Sequence, residues 1–96
     1  MNLDDFFIND TKNETEKIIK YSNNDGDFAR ILKKQIPNIE LLLDINLAKE
    51  LADKYESVII IAKSDELSWV RIVLSGQLGK EEISALIQHA RKNRSR

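Results

Sequence analysis

The residue types that most often carry catalysis or bind metals are scarce in this chain. It has no cysteine and a single histidine, His89, so histidine and thiolate ligands cannot complete a zinc site. The sequence also indicates no Ser–His–acid triad, because there is one histidine and no serine stands in the pattern of a nucleophile elbow. We therefore expect no catalytic residue, no bound metal, no cofactor and no enzyme activity.

A polar turn at residues 23–27, Asn-Asn-Asp-Gly-Asp, has the composition of a calcium-binding loop. If Gly26 were the glycine of an EF-hand, the loop would begin at Tyr21 and end at Leu32, and neither side chain can bind calcium. Glycine tolerates a positive φ, and aspartate is a favourable residue just before a helix. The stretch therefore predicts a turn, with Asp27 as the cap of a following helix.

The remaining polar stretches also lack a chemical motif. Residues 76–80, Gly-Gln-Leu-Gly-Lys, precede a predicted helix but do not have the glycine and lysine spacing of a phosphate-binding loop. The numerous acidic residues stand beside lysines on predicted helix surfaces, as Glu50 and Lys54 do, which is typical of solubilising pairs. We expect no small-molecule substrate.

Composition indicates one folded domain over residues 1–96. Hydrophobic residues make up 42%, charged residues 32%, and the formal net charge is −1, as in a globular chain. The absence of cysteine fits a reducing compartment, and the longest apolar run, residues 58–62, is too short to cross a bilayer. The acidic N-terminal residues also lack the pattern of a signal peptide. These features favour a cytoplasmic protein with no membrane partner.

Residues 57–74 have the pattern of a two-stranded antiparallel hairpin, because two β-branched and aromatic runs flank a polar turn at residues 64–67. If Lys63 pairs with Ser68, Ile61 faces Val70 and Ile59 faces Ile72 on one aliphatic face. The opposite face is also mostly apolar, so a helix, the apolar segment Phe6-Phe7-Ile8 or a second copy must cover it. We expect a homodimer, with interface residues Phe6, Phe7, Ile60 and Trp69.

Helical spacing predicts about three helices before the hairpin and one after it. The first covers residues 3–22, with a possible second start at Thr11. The second covers residues 27–36, because Phe28, Ile31, Leu32 and Ile36 share a face and Pro37 ends it. Residues 39–56 form one helix or two, the second capped by Asn46. The last helix covers residues 80–92, with a buried stripe of Ile83, Leu86, Ile87 and Ala90.

This order of elements is similar to that of winged helix-turn-helix DNA-binding domains, so the expected fold class is α+β and winged-helix-like. Size and the Asn-, Ile- and Lys-rich composition resemble accessory DNA-binding proteins of Gram-positive conjugative plasmids, of the TcpK type. The resemblance implies binding of double-stranded DNA for transfer or regulation, with a recognition helix ending near Tyr55 and a wing tip at residues 63–68. The expected phosphate contacts are Lys49, Lys54, Lys63, Arg71, Arg91, Lys92, Arg94 and Arg96, the last four forming a basic C-terminal tail (91–96).

Acidic residues near these positions support a second hypothesis. Glu50 and Asp53 lie on the expected recognition helix and Asp65 and Glu66 at the wing tip, where they would repel phosphates. The alternative is a small protein-interaction module or inhibitor, encoded by a phage or mobile element, that binds its partner through the apolar hairpin face. The basic end at residues 91–96 is then only a solvated chain end.

Overall fold

The computed structural model describes residues 3–64 and 66–94. They form a six-stranded antiparallel sheet with two α-helices and a short 3-10 helix. In chain order the elements are the 3-10 helix Leu3–Phe7, β1 Thr11–Glu14, β2 Ile18–Asn23, β3 Gly26–Leu32, β4 Asn38–Asp44, α1 Ile45–Lys54, β5 Val58–Lys63, β6 Leu67–Val73 and α2 Lys80–Arg94.

The strand order in the sheet is β1-β2-β3-β4-β6-β5. Helix α1 leads from β4 to β5, and β6 then folds back between these two strands, so that β4 pairs with β3 on one side and β6 on the other. Six of the seven residues of β4 are buried, as in a strand that is covered on both faces and both edges.

Both helices pack on one face of the sheet, which we call the core face. Ile39, Leu41 and Leu43 of β4 point to it and are fully buried. From α2, the predicted stripe of Ile83, Leu86, Ile87 and Ala90 packs onto them, and Ala48 of α1 joins the same cluster. Each large aliphatic side chain buried here contributes about 1.5–3 kcal/mol to folding, so this two-layer arrangement is the stabilising core.

The winged-helix fold class is wrong. Residues 3–44 hold a 3-10 helix and four strands where three helices were expected, and Thr11 begins β1 rather than a helix. The α+β composition, the hairpin over residues 57–74 and the C-terminal helix agree with the structure. The described part of the chain before the hairpin, residues 3–57, contains no pair of α-helices, so it provides no recognition helix and the hairpin is not a wing.

A β-bulge explains why residues 27–36 have helical spacing. Tyr21 pairs with Ala29 and Ser22 with Asp27, which leaves Phe28 as an extra residue in β3. Phe28, Ala29 and Ile31 are consequently all buried. The bulge interrupts the two-residue alternation of the strand, so that Phe28 and Ile31 are both buried although they are three residues apart. Buried residues three positions apart are typical of a helix.

A second bulge corrects the predicted register of the hairpin. Lys63 does pair with Ser68, but Ile61 is an extra residue, so Ile60 pairs with Val70 and Ile59 with Arg71. The core face of β5 therefore consists of Val58 and Ile60, whereas Ile59 lies on the other face. A shift of one residue exchanges the two faces of a strand, which is what the bulge has done here.

Residues 39–56 contain a strand followed by one helix, so the longer helix predicted at 46–56 is present and the short one at 39–44 is a strand. The run of three leucines belongs to β4, and the helix α1 begins only at Ile45. Its cap is Asp44 rather than Asn46, since one carboxylate oxygen of Asp44 accepts from the backbone N–H groups of Asn46 and Leu47, at 2.9 and 3.3 Å.

The last turn of α2 is anchored to the sheet and to the N-terminal segment. Arg91 donates from Nε and Nη2 to the two carboxylate oxygens of Asp10, at 3.0 and 2.7 Å. The side-chain amide of Asn93 donates to the carbonyl of Leu42 at 3.0 Å, and Arg94 Nε donates to the carbonyl of Asp27 at 2.8 Å. Residues 91–94 are thus part of a packed helix, and Arg96 lies outside the described residues.

The two edges of the sheet differ. Strand β1 is short and exposed, and Glu14 on it binds Lys33 and Lys12. The hydrogen bond from Lys33, with a smaller contribution from Lys12, holds the pKa of Glu14 below its usual value. These charges protect β1 against pairing with another strand, whereas β5 at the opposite edge is apolar.

Neither described helix is long and apolar enough to cross a membrane.

Candidate functional site: the helix-free face of the sheet

The face of the sheet opposite the two helices carries an unusual set of side chains, and we call it the open face. The described helices pack against the core face, and the 3-10 helix does the same through Phe7. Cross-strand pairing from β2 to β5 places the following residues on the open face: Ile18, Lys20, Arg30, Leu32, Asn38, Glu40, Leu42, Ile59, Ala62, Trp69, Arg71 and Val73.

A row of charged residues crosses the middle of the open face. Lys20 of β2 pairs with Arg30 of β3, Arg30 with Glu40 of β4, and Glu40 with Arg71 of β6. Ile59 of β5 ends the row at the sheet edge. Residues directly opposite each other on one face lie close enough to interact, so three cations meet a single carboxylate here.

Glu40 holds two arginines from neighbouring strands. Arg71 donates from Nε to Oε2 at 2.9 Å, and its Nη2 lies 2.9 Å from the same oxygen. Arg30 Nε lies 3.3 Å from Oε1. The Glu40 side chain is only 6% exposed, whereas those of Arg30 and Arg71 are 27% and 34% exposed. The carboxylate is therefore largely removed from water and the guanidinium groups are partly open to it.

Trp69 fixes the position of Arg30. The guanidinium carbon of Arg30 lies 3.9 Å from the centre of the Trp69 ring, a cation–π contact worth about 0.5–2 kcal/mol. Arg30 Nε is buried and makes no hydrogen bond with any residue that the structure describes, despite its closeness to Glu40. Arg30 is thus held by stacking and charge while part of its hydrogen-bonding capacity is unused.

A shallow groove of about 230 Å³ lies next to Trp69 at one end of the open face. Leu42, Ala62, Leu67 and Trp69 supply its apolar lining, and the remaining lining residues are Lys63, Ser64 and Arg94. Trp69 therefore belongs both to the groove and to the arginine cluster. A ligand that reaches both would meet apolar surface and positive charge within one site.

A second groove, of about 240 Å³, lies away from this cluster. Its lining is Leu3, Pro37, Leu74, Gly76, Leu78 and Ile83, and includes no charged side chain. It has no electrostatic feature that would select a partner, so the open face is the stronger candidate site.

The structure divides the predicted DNA-contacting residues among several surfaces. Arg71 lies on the open face, and Lys63 and Arg94 border its groove. Lys49 and Lys54 are exposed on α1, which packs on the core face, and Lys92 is exposed on α2. Arg91 is bound to Asp10 and to the carbonyl of Phe6. The seven of these cations that the structure describes are therefore not gathered on one phosphate-binding surface, and the eighth, Arg96, lies outside the described residues.

The predicted interface residues are also divided. Phe7 is buried in the core, where its ring stacks on Tyr21 with 3.8 Å between centroids, and Phe6 packs against the same core. Ile60 faces the core because of the bulge in β5. Of the four, Trp69 lies on the open face, so the aromatic residues near the N-terminus do not cover this face.

Sequence analysis did not identify Lys20, Arg30, Glu40 or Leu42 as site residues. One signal was present in the sequence: Glu40 interrupts the apolar run of residues 39–43, and a charge inside a buried run requires a compensating partner. Its partners lie about ten and thirty residues away in the chain, on β3 and β6. Only the strand pairing identifies them.

The site offers noncovalent recognition. It combines guanidinium donors, an aromatic ring and an aliphatic groove, which bind side chains and anions without altering them. Within residues 3–64 and 66–94, no three side chains of the metal-binding types come together as a possible metal site.

Comparison with known proteins identifies the fold and nothing further. A crystal structure of a Northeast Structural Genomics Consortium target, a protein from Pseudomonas syringae, resembles this chain with a TM-score of 0.74 at 19% sequence identity. The likeness covers 97% of this chain and 98% of that one. No protein-family model and no curated protein matches the sequence. The match supports the β-rich α+β fold, and the resemblance to TcpK-type winged-helix proteins is wrong.

Proposed function

We propose that this domain is a non-enzymatic protein-binding module that holds a segment of its partner on the open face. The observation that carries this proposal is the cluster of Arg30, Glu40, Trp69 and Arg71 at the centre of a helix-free face. Arginine and tryptophan are the residues most enriched at the energetic centres of protein interfaces. With no cysteine in the chain, we place this activity in the cytoplasm.

The surroundings of the cluster favour a protein over DNA as the partner. Leu42, Ile59 and Val73 flank the charged row with aliphatic side chains, whereas surfaces that bind duplex DNA are polar and strongly basic. Glu40 already neutralises one of the two arginines, and two predicted phosphate contacts, Lys49 and Lys54, lie on α1, on the other side of the sheet. The apolar and cationic mixture is typical of the centre of a protein interface.

DNA binding remains the competing prediction, because Lys63, Arg71 and Arg94 all lie on or beside the open face. It predicts affinity for a duplex that falls steeply as salt is raised, since phosphate contacts release counterions. The proposed function predicts weak or absent binding of the same duplex at moderate salt.

A selection from random peptides tests the proposal and does not require the partner to be identified first. The wild-type domain is immobilised and challenged with a phage-displayed library of random dodecapeptides, with counter-selection on the Trp69→Ser variant. We expect recovered peptides to bind the wild type with micromolar Kd by fluorescence anisotropy. Binding should weaken about tenfold or more in Trp69→Ser, an amount equal to about 1.4 kcal/mol.

Two results would overturn the proposal. One is a selection that yields no peptide able to distinguish the wild type from Trp69→Ser, provided that circular dichroism shows the variant to be folded. The other is salt-sensitive binding of labelled duplex DNA that is lost in Arg71→Gln. The control variant for the peptide arm is Lys49→Gln on α1, which should behave as the wild type.

A further inference from the structure

The geometry points to a carboxylate as the group that the open face recognises: its ligand is an acidic peptide segment whose aspartate or glutamate binds between Arg30 and Arg71. This inference rests on the proposed function and adds the chemistry of the partner. The same segment places a neighbouring apolar side chain in the groove beside Trp69.

The charge of the row favours an anionic ligand. The charged row holds three cations, Lys20, Arg30 and Arg71, and one carboxylate, that of Glu40, so the row itself carries two more positive than negative charges. Water screens this excess in the free protein. A partner that covers the face removes the water, and the surplus then has to be matched by anions that the partner supplies.

The N–H donors of Arg30 and Arg71 also outnumber the acceptor sites of Glu40. Two guanidinium groups carry about ten N–H donors, while one carboxylate offers about four lone-pair sites. Arg71 directs two of its nitrogens at the single oxygen Oε2 of Glu40, and the side chains of Arg30 and Arg71 are 27% and 34% exposed. Donors therefore remain for an incoming carboxylate, which arginine binds through paired N–H groups.

The two arginines are also preorganised for a ligand. Glu40 is largely buried and fixes both arginines from below, and the ring of Trp69 fixes Arg30 from the side. Long side chains lose rotamer freedom when they are ordered, and here Arg30 and Arg71 are already ordered when the chain folds. Glu40 thus acts as a positioning residue for a second carboxylate.

The groove defines the rest of the ligand. Its apolar lining adjoins the cluster through Trp69, and two of its lining residues, Lys63 and Arg94, are cations. An aliphatic or aromatic side chain next to an acidic residue satisfies both parts of the site. A second copy of this face is a poor occupant, because it would bring the same excess of cations into contact with this one.

The test uses the peptides recovered in the selection and measures how strongly their binding depends on aspartate and glutamate. Each peptide is synthesised with its aspartates and glutamates intact and as a matched version in which they are asparagine and glutamine. Trp69 is the only tryptophan in the chain, so its fluorescence reports binding at the site directly. We expect the acidic version to bind at least tenfold more tightly to the wild type.

The protein variants complete the experiment. Arg30→Gln and Arg71→Gln should remove most of the preference for the acidic version, while Lys49→Gln keeps it. Inorganic phosphate and duplex DNA are added as competitors, because they distinguish a peptide carboxylate from a general anion site. Circular dichroism melting identifies a variant that fails to fold, and Lys20→Gln provides a third cation variant on the same row.

The outcomes separate the two proposals. Peptides that require Trp69 but bind equally well as acids and amides would overturn carboxylate recognition and leave the protein-binding function intact. Displacement by millimolar phosphate or by duplex DNA would also overturn it, in favour of a general anion site. Failure to recover any Trp69-dependent peptide overturns both.

Discussion

A carboxylate with a side chain that is 6% exposed must have compensating charges, and for Glu40 they come from guanidinium groups on the two adjacent strands. The arrangement joins β3, β4 and β6 by side chains in addition to backbone hydrogen bonds. Because the arginines are partly exposed, the contribution to stability lies between that of a surface pair and that of a buried one.

Replacing Glu40 by glutamine tests this contribution. Glu40→Gln leaves two adjacent guanidinium groups without their anion, so we expect the free energy of unfolding to fall by about 2 kcal/mol, between the surface and buried limits. Urea denaturation followed by circular dichroism measures the change. The control is Glu50→Gln on the exposed side of α1, which should alter stability by less than about 0.5 kcal/mol. Equal stability of the two variants would contradict the assigned role of Glu40.

The sequence revealed only part of this cluster. Trp69 and Arg71 were predicted to be functional because they stand in the hairpin, where the β-branched pattern is unambiguous. Lys20, Arg30 and Glu40 stand in stretches for which a helix was predicted. Their meeting depends on the register of four strands, and register is determined by turns and bulges that hydrophobic pattern alone does not reveal.

At the scale of elements, Phe7 is the buried residue of the 3-10 helix, and Leu3 and Phe6 pack beside it against the core of the sheet. Phe7 is buried, stacks on Tyr21 with an angle of 8° between rings, and approaches Phe28 with 6.2 Å between centroids. Its neighbour Ile8 is 78% exposed. Two adjacent apolar residues in one short segment therefore have opposite environments.

This contrast gives a matched pair of variants. Phe7→Ala should lower the free energy of unfolding by about 3 kcal/mol, because it removes a buried aromatic side chain and leaves a cavity. Ile8→Ala should change it by less than about 0.5 kcal/mol. Thermal and urea denaturation measure both. A similar effect of the two substitutions would show that the N-terminal segment does not pack on the sheet through Phe7.

The elements that sequence analysis predicted correctly are those with an undistorted period. Helix α2 keeps its stripe from Ile83 to Ala90, over about two turns, and the residues of the stripe are all buried. In β3 and β5, one extra residue in each strand interrupts the alternation of buried and exposed side chains. In β3 the resulting spacing resembles that of a helix, and in β5 the two faces of the strand are exchanged. In β4, burial on both faces leaves no alternation to detect.

For the whole molecule, the edge strand β5 is where self-association is most readily explained. Ile59 is 50% exposed on this edge, and β5 carries no charge before Lys63. The bulge at Ile61 shortens the straight part of the edge to residues 58–60 without placing a charge on it. The homodimer predicted from the sequence is therefore expected to form along β5 rather than through the aromatic residues near the N-terminus.

A lysine on the edge tests this prediction. Light scattering at increasing concentration should show dimers of the wild type, and Ile59→Lys should remain monomeric, because a charge on an edge strand opposes pairing. Ile36→Lys is the control, since Ile36 lies in a loop and is 55% exposed. A wild type that stays monomeric throughout, or a dimer that tolerates Ile59→Lys, would contradict dimerisation through β5.

The position of β6 between β4 and β5 also affects how the chain is made. A nascent chain emerges N-terminal end first, at about 5–20 residues per second. Strand β4 can pair with β3 as soon as both have emerged, but its other edge waits for β6, which follows α1 and β5. Pairing between distant segments is slow. A ribosome that pauses between β5 and β6 would expose one edge of the most buried strand, so chaperones should matter most during that interval of synthesis.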